Sequence, residues 1–281
     1  MHVPLGAYPD AAAALAGVPT ASPNYRLLNG TWKFHLSPDP DSVPAGFFAA
    51  DYDDAGWSAI PVPSNWQLPA IRLPGFKDNP IYANVHYTFE PNPPYPPAEN
   101  PTGCYRTRFH LDPAWAGRSV FLLFESVDSN LTLWINGQEV GYSQDSRLPA
   151  EFDITPYLRA GENLLVARVM RYCDGSYLEC QDFWRMSGIQ RDVVLYSKPA
   201  VCLEDFSVRT LLDSQYRDAR LVIDARVTPP AAGRVPRGPH LGDYRVEATL
   251  YGPRGEAVFS QPLSAAPARR TSFEAAGEKT G

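Results

Sequence analysis

Four stretches of this sequence gather amide, carboxylate and aromatic side chains. They are Pro63-Ser-Asn-Trp-Gln67, the run from Asn79 to Tyr87, the run from Asn100 to Arg106, and the run from Cys173 to Val193. The last sets Asp174, Glu179 and Asp182 beside Tyr177, Trp184 and Arg185, in a segment with no strand period. That mixture suits a neutral polyol. Asn and Asp can each bond a pair of hydroxyls, and an indole can cover the C–H face of a sugar ring. A plainer reading of the same residues is turn residues plus core aromatics. No catalytic set accompanies them. There is no Gly-x-Ser-x-Gly elbow and no glycine-rich phosphate loop. The histidines His2, His35, His86, His110 and His240 lack metal-ligand spacing and read as surface or packing residues.

The chain around these stretches has 281 residues, enough for about two domains. Its net charge is -6 and its pI about 5.4, with no run of Lys or Arg. A nucleic-acid partner is excluded on that ground, because such proteins carry a basic face. No stretch approaches the ~20 apolar residues of a membrane span. The N-terminus lacks the basic start of a signal peptide, so the sequons at Asn29 and Asn130 are chance matches. Cys104, Cys173, Cys180 and Cys202 form no CxxC pair and read as free buried thiols of a cytoplasmic protein.

The elements that must position the polar stretches are strands. One short helix is predicted, an alanine run capped by Asp10 and ended by Gly17. Strands are predicted over 31–35, 105–111, 120–124, 164–170 and 192–196. A hairpin is predicted where LTLWI meets QEVGYS through Asn136-Gly137, a pair suited to a type I′ turn. In 105–111 the alternation puts Tyr105, Phe109 and Leu111 on one face and Arg106, Arg108 and His110 on the other. Residues 54–101 are so rich in proline that no regular element is expected there. Trp57, Trp66, Phe76, Tyr82, Tyr87 and Tyr95 predict ordered loops held by aromatic packing. Past Ser197-Lys198-Pro199 a second β unit begins, with strands over 203–211, 221–227, 244–251 and 257–263. Four strands fall short of the roughly seven of an immunoglobulin-like sandwich, and the closing AAPARRTSFEAAGEKTG offers no further strand. The second unit therefore reads as cut short, with strand edges left unpaired.

Several of these stretches carry a resemblance. Leu28-Asn-Gly-Thr-Trp-Lys-Phe34 is similar to the opening strand of family 2 glycoside hydrolases. Pro63-Ser-Asn-Trp-Gln67, Pro80-Ile-Tyr-Ala-Asn-Val85, Asn100-Pro-Thr-Gly-Cys-Tyr-Arg106, Gln144-Asp-Ser-Arg-Leu-Pro149 and Gln181-Asp-Phe-Trp-Arg185 resemble its β-galactosidase branch. The resemblance runs from about residue 20 to residue 230. It implies an all-β chain. Residues 1–19 are an N-terminal extension. Residues 20–198 form a jelly-roll (galactose-binding-like) β-sandwich, and residues 199–281 a partial immunoglobulin-like β-sandwich.

The resemblance also implies roles. The Asn84 amide bonds substrate hydroxyls. Asp182 contacts the sugar and helps ligate a monovalent cation, sodium. Other readings are an Asx-turn for Asn84 and an ion pair with Arg185 for Asp182. Gln144 and Asp174 match positions linked to a second site, for magnesium, whose other ligands lie upstream in the family. Cys180 stands where an acid is expected. Retaining glycosidases need two carboxyl groups about 5–5.5 Å apart, and the family's acid/base glutamate follows an Asn. No Asn-Glu pair occurs here, so no catalytic residue is assigned.

The expectation is therefore the N-terminal sugar-binding part of a cytoplasmic β-galactosidase. Its substrate is a galactoside, and its partner is the missing catalytic TIM-barrel half. The complete enzyme is expected to be a homo-oligomer, and the isolated chain inactive. A stand-alone carbohydrate-binding module is the competing expectation.

Overall fold

The computed structural model describes residues 7–68, 71, 73, 75–179, 181–228, 241–267 and 271–277. The chain is nearly all β. The Ala11–Ala16 helix forms as predicted, with the Asp10 side chain accepting from Ala13 N–H and Gly17 in the left-handed conformation. Among the described residues no helix is long and apolar enough to cross a membrane. Tyr8–Ser197 form one compact unit, and residues from Lys198 on belong to a second.

The first unit is a two-sheet sandwich. Its larger sheet has the order Gln138–Gln144, Asn130–Ile135, Glu162–Met170, Thr102–His110, Gly30–Ser37, Ser58–Val62, all neighbours antiparallel. Its smaller sheet has the order Tyr25–Leu27, Val193–Lys198, Ser119–Phe124, Ala150–Asp153. Strand side chains alternate between faces. Leu131, Leu133 and Ile135 of the larger sheet therefore meet Val120, Leu122 and Phe124 of the smaller in one buried core. The Asn136-Gly137 turn has φ of 53° and 84°, as a type I′ hairpin requires.

One expectation needs correction here. The proline-rich span does carry strands, Ser58–Val62 among them. It tolerates Pro61 because it lies at the sheet's edge, where a missing N–H costs no ladder bond. Arg106 lies on the face opposite Tyr105 and Phe109, as alternation predicts. It is 1% exposed, because residues 43–57 fold over that face and build a second core of Phe47, Trp134, Leu164 and Val166. The buried guanidinium pairs with Asp54 at 2.7 Å and donates to the carbonyls of Phe47 and Ala49. Those partners offset its desolvation.

A small three-stranded sheet joins segments that lie far apart in the chain. Gly188–Ile189 pairs with Ser64–Asn65 on one side and Val127–Asp128 on the other. Gly188 has φ 135°, and a Cβ there would lie 2.6 Å from the Ser64 carbonyl oxygen. Only glycine fits that crossing.

In the second unit Cys202–Leu212, Ala219–Thr228 and Thr271–Gly277 form one antiparallel sheet, and Val246–Ala248 pairs with Leu263–Ala265. The expectation of no strand after residue 263 is thus overturned. Thr271–Gly277 pairs along seven residues of Ala219–Thr228 and buries Phe273. The strands expected over 244–251 and 257–263 shrink to short pieces around a Gly252–Glu256 turn. Cys104 and Cys173 are free and buried, Cys202 is half-buried, and Cys180 lies outside the described residues.

Candidate functional site

Asn84 and Asp182 are 98 positions apart in sequence, yet one ladder brings them together. Ile81–Ala83 pairs antiparallel with Phe183–Arg185, with Ala83 opposite Phe183 and Tyr82 opposite Trp184. Asn84 follows Ala83 and Asp182 precedes Phe183, so both flank the same end. Within the ladder Tyr82 and Trp184 stand directly opposite and share a face, and Asn84 and Asp182 are the bends that flank its end. The Tyr82 hydroxyl donates to Asp182 Oδ1, and the Tyr82 and Trp184 rings stand 5.8 Å apart. All four residues are exposed.

The surface so formed holds an amide, a carboxylate and two rings. A carboxylate offers about four lone-pair sites, so Asp182 keeps acceptor capacity after bonding Tyr82. That bond holds the Tyr82 phenol above its ordinary pKa of 10.0, because loss of its proton would set two anions side by side. Beside the ladder opens a cleft of about 660 Å³, lined by Trp184, Phe183, Gln181, Arg147, Leu148 and Gln190 among others.

The ladder's other face is anchored. The Phe183 ring has the Arg147 guanidinium 4.0 Å and the Arg185 guanidinium 3.9 Å from its centroid. Arg185 donates to the carbonyls of Glu179 and Gln181, in the turn leading to Asp182. Arg147 pairs with Asp128 at 2.7 Å.

Asp78 ties the loop before Ile81 to the sandwich. Its carboxylate accepts from Trp66 Nε1 at 2.8 Å and Gln67 Nε2 at 2.7 Å, and pairs with the buried Arg171. The following loop is pinned by rings, as the sequence predicts. Tyr87, Phe89, Tyr172 and Tyr177 pack edge-on or tilted, and the Tyr177 hydroxyl donates to Tyr95 O and accepts from Asn92 N–H.

Gln144 comes near Gly175, the residue after Asp174. Gln144 Nε2 lies 4.0 Å from where a Cβ on Gly175 would sit. Its Oε1 accepts from the Tyr142 hydroxyl at 2.6 Å. Burial first, then the charges of Cys173 and Asp174, push the Tyr142 phenol up to about 12. Among the described residues no cluster of three or more His, Cys, Asp or Glu is poised for a metal. A hard monovalent or divalent cation here would depend on isolated oxygens such as Asp182 Oδ2 and the carboxylate of Asp174.

Sequence reasoning missed Tyr82 as a partner of Asp182 and Asp78 as a hub. Nothing local marks Asp78. Tyr82 could have been found from its place two residues before Asn84 on a strand-like run.

A β-sandwich that presents an amide, a carboxylate and paired aromatic rings on a short loop ladder offers the donors, acceptors and apolar faces that a polyol needs. Residues 25–199 match the profile of glycosyl hydrolases family 2, sugar binding domain, and the chain belongs to that family. It is 48% identical over 257 residues to a β-galactosidase of Vibrio cholerae serotype O1, which covers 92% of this chain and 23% of that relative. It is 46% identical over 269 residues to one of Vibrio vulnificus strain CMCP6, covering 96% of the chain and 24% of the relative. The chain therefore spans about a quarter of the length of these relatives. Among solved structures, a β-glycosidase from Bacteroides vulgatus superposes with a TM-score of 0.64 at 21% identity, over 91% of this chain and 29% of that one. At that identity the likeness concerns the fold alone.

Proposed function

We propose that this chain is the N-terminal sugar-gripping part of a β-galactosidase, which removes terminal β-D-galactose from galactosides. The observation that carries the reading is the convergence of Asn84 and Asp182 at one end of the ladder beside the Tyr82–Trp184 pair. Asn84 can donate and accept across neighbouring hydroxyls. An aromatic face suits the apolar side of a pyranose. Asp182 would hold sodium through its carboxylate, and bound sodium would add a positive point for sugar hydroxyls. One carboxylate fills a fraction of such a shell, so sugar, water and outside groups must complete it. Magnesium is expected in the complete enzyme as well.

On this reading the nucleophile and acid/base carboxyls lie outside these residues, in a barrel that these loops help to roof. The complete enzyme is then a cytoplasmic homo-oligomer. The acidic charge and free thiols agree with that setting.

The test is titration of the chain with galactose, with and without sodium, followed by NMR. Binding that tightens with sodium is expected, and Asp182→Ala should weaken it about tenfold, the equivalent of ~1.4 kcal/mol. Asn84→Ala should weaken it about threefold to tenfold through lost hydrogen bonds. Equal affinity for wild type and Asp182→Ala would sink the role given to Asp182. Turnover of a β-galactoside by the purified chain alone would sink the division of labour.

A further inference from the structure

Asp182 does little to hold itself in place. It is exposed, it lies just outside the paired residues, and its ladder is three pairs long. An isolated two-stranded ladder of that size has marginal stability. Something else must fix the peptide on which the carboxylate stands.

Phe183, the next residue, is where the fixing happens. Two guanidinium carbons lie within 4.0 Å of its ring centroid. Two such groups cannot share one face of a ring at that distance, so the ring is held between them. Arg185 belongs to the ladder itself and braces the preceding turn through the Glu179 and Gln181 carbonyls. Arg147 comes from elsewhere. It stands at φ 70°, a conformation that directs its loop sharply. It pairs with the Asp128 carboxylate, which is 13% exposed, at 2.7 Å. Its loop is stapled to the same turn by Ser146 N–H donating to Glu179 Oε1 at 3.0 Å.

We infer that Arg147 is a positioning residue for the sugar site. Its planar guanidinium, aimed by Asp128, clamps the Phe183 ring and so holds the Asp182 carboxylate toward Tyr82 and Asn84. The value of that clamp for sugar binding rests on the function proposed above; the clamp itself rests on geometry. A planar cation that stacks on a ring is a role lysine fills poorly. Lysine could still face Asp128 as a point charge.

The experiment is NMR on the 281-residue chain with Arg147→Ala, Arg147→Lys and Phe183→Leu. In wild type the Tyr82 ring protons and the Asp182 β-protons should give a nuclear Overhauser contact. That contact should vanish in all three variants, and galactose affinity in sodium should fall about fivefold to tenfold. The lysine variant should keep a near-normal melting temperature, which separates positioning from simple loss of the ion pair. Combining Arg147→Ala with Phe183→Leu should cost no more than about twofold beyond either alone, since both remove one device. If Arg147→Ala does not fold, the lysine and leucine variants decide. Retention of the Tyr82–Asp182 contact and of affinity in a folded variant overturns the inference. Loss of the contact in a chain that never binds galactose leaves the positioning intact and overturns the sugar reading.

Discussion

Asp128 shows how a single residue can carry a pH response into the supports of a binding surface. Burial is the largest influence on it and pushes its carboxyl from an ordinary 3.8 up to about 7; Arg147 pulls it down, Glu179 pushes it up and Arg185 pulls it down. The folded chain thus keeps a proton on Asp128 through a range where the unfolded chain has lost it. Its contribution to stability is full below about pH 4 and declines as pH rises to about 7. A shift of that size corresponds to at most ~4 kcal/mol. Asp128→Asn should flatten this part of the stability profile, measured by urea unfolding at several pH values. An unchanged slope between pH 4 and 7 would contradict the assignment. Gly188 is a residue of the opposite kind, fixed by shape alone. Gly188→Ala must push a methyl against the Ser64 carbonyl in a disfavoured backbone region, so a loss of about 3 kcal/mol or more is expected in the same assay. Asn84 and Asp182 could be singled out in the sequence because each sits in a contiguous motif that resembles the family's. Their meeting was not, since it depends on pairing between strands about a hundred residues apart.

At the scale of elements, legibility followed local patterning. The Asn136-Gly137 hairpin and the Asp10-capped helix are dictated within a few residues, and both form as expected. Elements that depend on distant neighbours escaped. Ser58–Val62 holds a proline that reads as a strand breaker until the edge of a sheet is known. Thr271–Gly277 is small and weakly apolar, and it becomes a strand through the seven partners that Ala219–Thr228 offers. Arg106 follows the polar phase of its strand correctly, yet a loop covers that phase. The sheet of Gly188–Ile189, Ser64–Asn65 and Val127–Asp128 has no sequence signal beyond its glycine. It nevertheless links the segment carrying Asp182, the segment leading to Trp66 and Gln67, and the segment carrying Asp128.

At the scale of the molecule, the sandwich rests on deep cores and the site has almost none. The ladder of Ile81–Ala83 with Phe183–Arg185 forms its own sheet, joined to neither of the large ones. Regions with few buried contacts open at lower cost than cores. Amide hydrogens of Ala83 and Phe183 should therefore exchange with deuterium at least tenfold faster than those of Leu133 or Leu165, and on the function proposed above galactose with sodium should slow them selectively. Equal rates across these positions would show the ladder to be as firm as the sandwich. If the difference holds, warming will loosen this surface well before the fold melts, and the temperature at which it gives way will report on three rungs of backbone rather than on the whole protein.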